Sequence, residues 1–209
     1  MNLIEEKQQL RRTARGFWAQ VAPELPLAWG QAMTHQLTNL PQWRDAQRVF
    51  CFVSTKAEPD THPLLNLALS QGKELYLPRL CREPGRMEAA ACQGLSHLVP
   101  GRYGIPEPDG SAPVIAPHLL DLVIAPCVMA SSTGQRLGHG GGYYDRFLSQ
   151  CRCPVLVLCP SALLRQELPC QAHDQRVDGV ITEQGVIIPS KPGQADGPAV
   201  HTPAYPQQD

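Results

Sequence analysis

Between Leu3 and Val21 the apolar positions Leu10, Ala14, Phe17, Trp18 and Val21 recur at helical spacing, while Lys7, Arg11, Arg12 and Arg15 fall largely on another face. The spacing predicts an amphipathic helix with a basic side. A second helix is expected after Pro26, carrying Leu27, Met33 and Leu37, followed by a buried strand over 48–54. Asp60 or Thr61 can cap a helix that holds Leu64, Leu65, Leu67 and Leu69, and Gly72 can end it. Residues 74–78 resume as a strand, which completes a βαβ unit. Further strands are expected at 121–126, 154–159 and 179–182, with a glycine-rich loop and a short helix between the first two.

This alternation predicts a single α/β domain over residues 1–188, with a mainly parallel, Rossmann-like sheet flanked by helices. Residues 82–113, broken by proline and glycine, read as an excursion with short strands. From Pro189 onward the chain is proline-rich and polar and is expected to be a disordered tail. A chain of 209 residues with 43% hydrophobic content suffices for one substantial core.

Net charge is −1 with a pI near 6.6, so no general basic field exists to hold nucleic acid. No signal-peptide stretch or membrane-length segment is visible, and a cytoplasmic monomer that uses neither membrane nor nucleic acid is expected. The eight cysteines are scattered through apolar segments, and most read as buried, reduced thiols. Cys151, Cys153 and Cys159 lack the second cluster that a tetrahedral zinc site needs.

Candidate chemistry concentrates after the 121–126 strand, where the chain runs from Gly134 through Arg136 and residues 138–142 to Tyr143, Tyr144 and Asp145. Loops beyond the carboxyl ends of parallel strands are where α/β sheets bind ligands. Gly138, Gly140, Gly141 and Gly142 let backbone approach a ligand, a following helix start offers N–H groups to phosphate, and Arg136 adds a charged fork. The spacing fits neither a Walker A loop nor the dinucleotide fingerprint. On these grounds alone a flexible glycine loop with two packing tyrosines explains the pattern equally well.

The full string R-L-G-x-G-G-G-Y-Y-D-R-F-L resembles the signature of the 5-formyltetrahydrofolate cyclo-ligase family. Lys7-x-x-Leu10-Arg11, Glu58-x-x-Thr61, Gly72-Lys73 leading into Leu77-Pro78, Tyr103-Gly-Ile-x-Glu-Pro108, Asp121-Leu-Val and His173-Asp174 match in order, so the resemblance spans roughly residues 3–183. It implies an ATP- and Mg²⁺-dependent ligase that converts 5-formyltetrahydrofolate to 5,10-methenyltetrahydrofolate through a phosphorylated formyl group.

By the same resemblance Lys7, Arg11 and Arg136 would bind ATP together with Gly138, His139, Gly140, Gly141, Gly142, Tyr143, Tyr144 and Asp145. Arg136, Tyr144 and Asp145 would be catalytic, and Asp145 and Asp174 would hold Mg²⁺. Glu58, Met87 and Tyr143 would receive the reduced folate. Lys7 and Arg11 as a solvated helix face, Glu58 as a surface loop acid and Asp174 as a turn cap are the plainer readings. Arg136, taken as a loop residue, is expected to matter little to folding.

Three positions depart from the family pattern. Ala130 and Ser131 stand where an aromatic and an acid are usual, and Leu163 stands where a glutamine is common. Read as losses from one wall of a folate pocket, they admit a second reading, a nucleotide-binding paralogue with another substrate or a regulatory role.

Overall fold

The computed structural model describes residues 2–190 and 199–201. In chain order it contains α1 (Leu3–Trp18), α2 (Leu25–Thr38), α3 (Pro41–Asp45), β1 (Arg48–Cys51), α4 (His62–Ser70), β2 (Glu74–Leu80) and β3 (Met87–Ala91). Then come β4 (Val99–Pro100), β5 (Pro106–Glu107), β6 (Val114–Ile115), β7 (Leu122–Ala125), β8 (Met129–Ser131) and β9 (Arg136–Leu137). The rest is α5 (Tyr143–Leu148), β10 (Val155–Leu158), β11 (Leu164–Arg165), β12 (Gly179–Thr182), β13 (Gly185–Ile188) and β14 (Ala199–His201).

Nine strands form the main sheet in the order β14-β13-β12-β10-β7-β1-β2-β3-β6. Its centre, from β2 to β12, is parallel, and antiparallel strands extend both edges. This is the mainly parallel α/β sheet expected. Successive residues of β7 face opposite sides: Leu122 and Ile124 join the core under α2, α3 and α4, whereas Val123 and Ala125 join the core under α1 and α5. A small sheet, β11-β8-β9, covers the second face beside α1 and carries the start of the glycine loop.

Several boundaries differ from expectation, each for a local reason. The first helix stops at Trp18 rather than Val21, and its start is fixed by reciprocal bonds between Asn2 and Glu5, at 2.9 and 3.0 Å. β1 ends at Cys51, and Phe52 and Val53 continue as buried loop. β2 runs past Pro78 to Leu80 because its pairing with β1 ends at Tyr76. Beyond that point only β3 pairs with it, and a missing N–H on the open side is tolerated.

Thr61 precedes α4 without a side-chain cap; its Oγ1 instead accepts from the Ser54 N–H at 3.0 Å. The short helix α3, with Trp43 buried beneath it, had no counterpart in the sequence reading. Most of the tail expected to be disordered lies outside the described residues. Within it Ala199–His201 forms a strand along the otherwise open edge of β13, which presents unpaired backbone groups to it.

Candidate active site

Arg136 stands on β9 with its side chain only 2% exposed. Its Nη2 donates to Asp145 Oδ1 at 2.7 Å and its Nη1 to the Pro126 carbonyl at 3.2 Å. Its Nε has no hydrogen-bond partner among the described residues. A buried, unmatched guanidinium N–H is costly unless another group completes it. The side chain is therefore a buried support rather than an exposed loop arginine, which corrects the expectation that it matters little to folding.

α1 delivers two cations to the same place. Lys7 is buried, 7% exposed, because its ammonium pairs with Asp174 and donates to Gln171 Oε1 at 3.3 Å. Arg11, one helical turn on, donates from Nε to the Gly138 carbonyl at 2.8 Å. Burial lowers the Arg11 pKa, opposed by the charges of Asp174 and Asp145, which places all three groups in one electrostatic neighbourhood. The solvated-face reading of Lys7 is overturned by its burial.

Asp145, in the first turn of α5, also accepts from the Gln175 N–H at 3.4 Å. For Asp174, burial would raise the pKa, but bonds from Lys7 and the Gln171 N–H, with the nearby His173, bring it below the ordinary carboxylate value. Among the described residues no set of three or more His, Cys, Asp or Glu side chains could cage a metal.

The glycine loop is held at its carbonyls. Arg11 takes that of Gly138, and Arg146 bridges the Gly141 carbonyl at 2.7 Å and the Gly85 carbonyl at 2.8 Å. Gly140 has φ +101°, which favours glycine, and a Cβ there would crowd the Arg11 guanidinium at 3.3 Å. Arg146 is the supporting residue that sequence reasoning missed. Near a helix end it reads as an ordinary solvent charge, and its partner Gly85 lies 61 residues away.

Glu58 is buried, 5% exposed, and its Oε2 accepts from the Thr55 N–H at 2.7 Å. Its Oε1 is 3.4 Å from Nε2 of the exposed His139. The surface-acid reading of Glu58 is therefore wrong. Tyr144 lies between Glu58 and Arg136: its ring centroid is 5.8 Å from the Arg136 guanidinium carbon and 6.4 Å, edge on, from Phe50. Burial first, then the Glu58 charge, pushes the Tyr144 hydroxyl well up, so at neutral pH it can donate a proton in a hydrogen bond but cannot act as a base.

Tyr143 lies beside the Gly85 turn. The Tyr103 hydroxyl facing that of Tyr143, then the Gly85 N–H and Arg102, lower the Tyr143 pKa and raise that of Tyr103. Tyr103 has φ +61° and is 77% exposed. Met87 is half-buried against the core under α5.

The three departures do not form a pocket wall. Ala130 and Ser131 are fully buried in β8, and Leu163 is 2% exposed in the core. The Ser131 hydroxyl accepts from the Gln135 N–H at 2.9 Å, which closes the turn of the β8-β9 hairpin. A short hydroxyl supplies a turn acceptor there.

The arrangement defines a class: an α/β protein whose parallel sheet carries, beyond its strand ends, a cationic cradle with two acids and a buried carboxylate beside it. The model of the 5-formyltetrahydrofolate cyclo-ligase family matches residues 3–183, and the chain belongs to that family. The chain is similar to the 5-formyltetrahydrofolate cyclo-ligase of Escherichia coli K12, at 31% identity over 171 residues, covering 79% of this chain and 94% of the relative. It is also similar to a probable 5-formyltetrahydrofolate cyclo-ligase of Schizosaccharomyces pombe, at 26% identity covering 87% of this chain and 97% of the relative. Among solved structures, the Aquifex aeolicus 5,10-methenyltetrahydrofolate synthetase superimposes with a TM-score of 0.79 and 27% identity, over 91% of this chain and 96% of that one.

Proposed function

We propose that this chain is a 5-formyltetrahydrofolate cyclo-ligase that uses ATP and Mg²⁺. The observation that carries the phosphate part is the buried Arg136 with an unpartnered Nε, set beside Lys7, Arg11 and the glycine loop. A site that transfers a phosphoryl group must neutralise charge and fix alignment, and these groups are held in place before any ligand arrives. Because the departures from the family pattern are core and turn residues, they give no support to a paralogue with another substrate.

Asp145 and Asp174 suit Mg²⁺: each has one carboxylate oxygen engaged with a cation, and Mg²⁺ is commonly held by one or two carboxylates together with phosphate oxygens. The ion would supply charge neutralisation of the triphosphate there. Glu58, with Oε1 turned toward His139, would accept the paired N–H groups of a pterin. Tyr144 would keep water out between the two ligands while donating its hydroxyl proton.

In the reaction the formyl oxygen attacks the γ-phosphorus and ADP leaves. N10 then attacks the activated carbon and loses its proton, and the former formyl oxygen departs with phosphate. Arg136 and Lys7 would stabilise the charge on the transferring group, and Arg11 would hold the loop.

Two variants separate the half-sites. Glu58→Gln is expected to raise the KM for 5-formyltetrahydrofolate about tenfold or more while leaving the ATP KM near wild type, and Arg136→Lys to do the reverse. Steady-state rates against each substrate read this out, and both KM values moving together in both variants would contradict the assignment.

A further inference from the structure

Cys151 and Cys153 are free thiols that the proposed reaction does not use. The Cys151 thiol donates to the Cys153 sulfur and also reaches the Phe147 carbonyl at 3.6 Å. It thereby ties the last turn of α5 to the segment that enters β10. The Cys151 N–H continues that turn, donating to the Leu148 carbonyl at 3.0 Å. The pair lies before the amino end of β10, on the sheet edge opposite the glycine loop, and α5 joins the two edges. Both cysteines are half-buried, and Cys153 lines a cavity of about 500 Å³ together with Pro41, Ala46, Leu120, Pro154, Asp45 and Asp121.

The thiolate is the reactive form of cysteine. The hydrogen bond from Cys151 lowers the Cys153 pKa, against burial and the charges of Asp121 and Asp178. The partly or fully exposed thiols Cys81 and Cys170 are shifted the other way, first by burial.

We propose that Cys151 and Cys153 are a modification site for small neutral hydroperoxides, at which a reversible disulfide closes and, through α5, weakens ATP use. The Cys153 thiolate attacks a peroxide oxygen; an S–O bond forms, the O–O bond breaks, and the leaving oxygen takes a proton to become water or an alcohol. The Cys151 sulfur then attacks that of Cys153. The S–S bond forms, the S–O bond breaks, and hydroxide leaves as water with the Cys151 proton. Two thiols are oxidised and one peroxide is reduced.

Two residues of chain span at most about 7 Å, the upper edge of the Cα separation a disulfide accepts, so closure bends the backbone and leaves a readily reduced bond. Closure also takes the thiol hydrogen from the Phe147 carbonyl and frees the end of α5. On that helix Asp145 holds Arg136, and Arg146 holds the Gly141 carbonyl. Asp45 and Asp121 on the cavity wall disfavour an anionic oxidant and leave a neutral peroxide free to enter. The effect on ATP use rests on the proposed function, whereas the modification itself does not.

The test treats wild type, Cys151→Ser and Cys153→Ser with hydrogen peroxide and maps the peptides by mass. Exposed Cys170 serves as the internal control. The Cys151–Cys153 disulfide is expected to form before Cys170 is oxidised. The ATP KM for methenyl formation should rise about fivefold or more, since small misplacements at a site are costly, and dithiothreitol should restore it. Both serine variants should keep the reduced wild-type KM and ignore peroxide. Serine nearly matches cysteine in size, and melting curves check each fold. Glutathione disulfide, an anionic oxidant, should close the pair far more slowly.

A disulfide that does not form, or forms no faster than Cys170 is oxidised, overturns the proposal. So does an unchanged ATP KM in the fully oxidised protein, an equal peroxide response in the serine variants, or closure by glutathione disulfide at the peroxide rate. If the reduced protein forms no methenyl product, the activity reading fails by itself. Peptide mapping and calorimetric ATP binding before and after oxidation then decide the dithiol assignment.

Discussion

At the scale of single residues, identity was legible and burial was not. The string from Arg136 to Asp145 located the cradle through its family resemblance, since its spacing alone fits a plain glycine loop equally well. Lys7 and Glu58 read equally well as surface charges, and only the fold shows why they are not. Lys7 is matched by Asp174, 167 residues away, and Glu58 is buried in the 55–58 turn, where it accepts from the Thr55 N–H. Ala130 and Ser131 show the opposite case, since their departure from the pattern suggests a missing ligand contact whereas both side chains lie inside β8. Arg136 carries the residue-scale prediction. Its removal leaves Asp145, whose side chain is 20% exposed, without its main cation, and empties a buried site. Arg136→Ala is expected to cost about 2 kcal/mol of stability, below the roughly 3–5 kcal/mol of a fully buried broken pair because Asp145 is partly solvated. Urea unfolding of the two proteins measures it, and equal midpoints would show that the pair is not a structural support.

Among the elements, helices and strands with strong periodicity were legible, and those defined by tertiary contact were not. α1, α4 and the parallel strands follow from apolar spacing. α3 is one and a half turns of mixed residues held by Trp43 against the core, and β8, β9 and β11 are two- or three-residue strands that exist only as a packed trio. The tie between α1 and the 171–174 turn has a pH signature. Because the Asp174 pKa is lower folded than unfolded, its stabilisation is complete above the ordinary carboxylate pKa of about 3.9 and is lost as pH falls through the folded value. Asp174→Asn should therefore narrow the stability gap between neutral pH and about pH 3, and a gap as wide as in wild type would refute this role. For the loop, Gly140→Ala meets both a left-handed backbone and the Arg11 side chain. It is expected to raise the ATP KM about tenfold or more while shifting the melting temperature by only a few degrees, as the loop is peripheral to both cores. A near-normal ATP KM in that variant would show that the loop conformation is dispensable.

For the whole molecule, the parallel sheet explains why residues from every third of the chain converge. β1 leads to Glu58, β9 supplies Arg136, the segment after β10 and β11 brings Asp174, and α1 lies across them with Lys7 and Arg11. Parallel order puts the carboxyl ends of β1, β7 and β10 on one edge, and the chemistry gathers there. That convergence is what the sequence could only imply through resemblance, because the ties that join α1 to the site run from Lys7 to Asp174 and from Arg11 to Gly138, 167 and 127 residues apart. The most direct test is the absorbance of 5,10-methenyltetrahydrofolate as it forms from 5-formyltetrahydrofolate, measured with purified protein and with ATP, Mg²⁺ or folate omitted in turn. Product that appears only when all three are present is the expected result. A folded protein that binds ATP yet forms no product under these conditions would contradict the cyclo-ligase assignment.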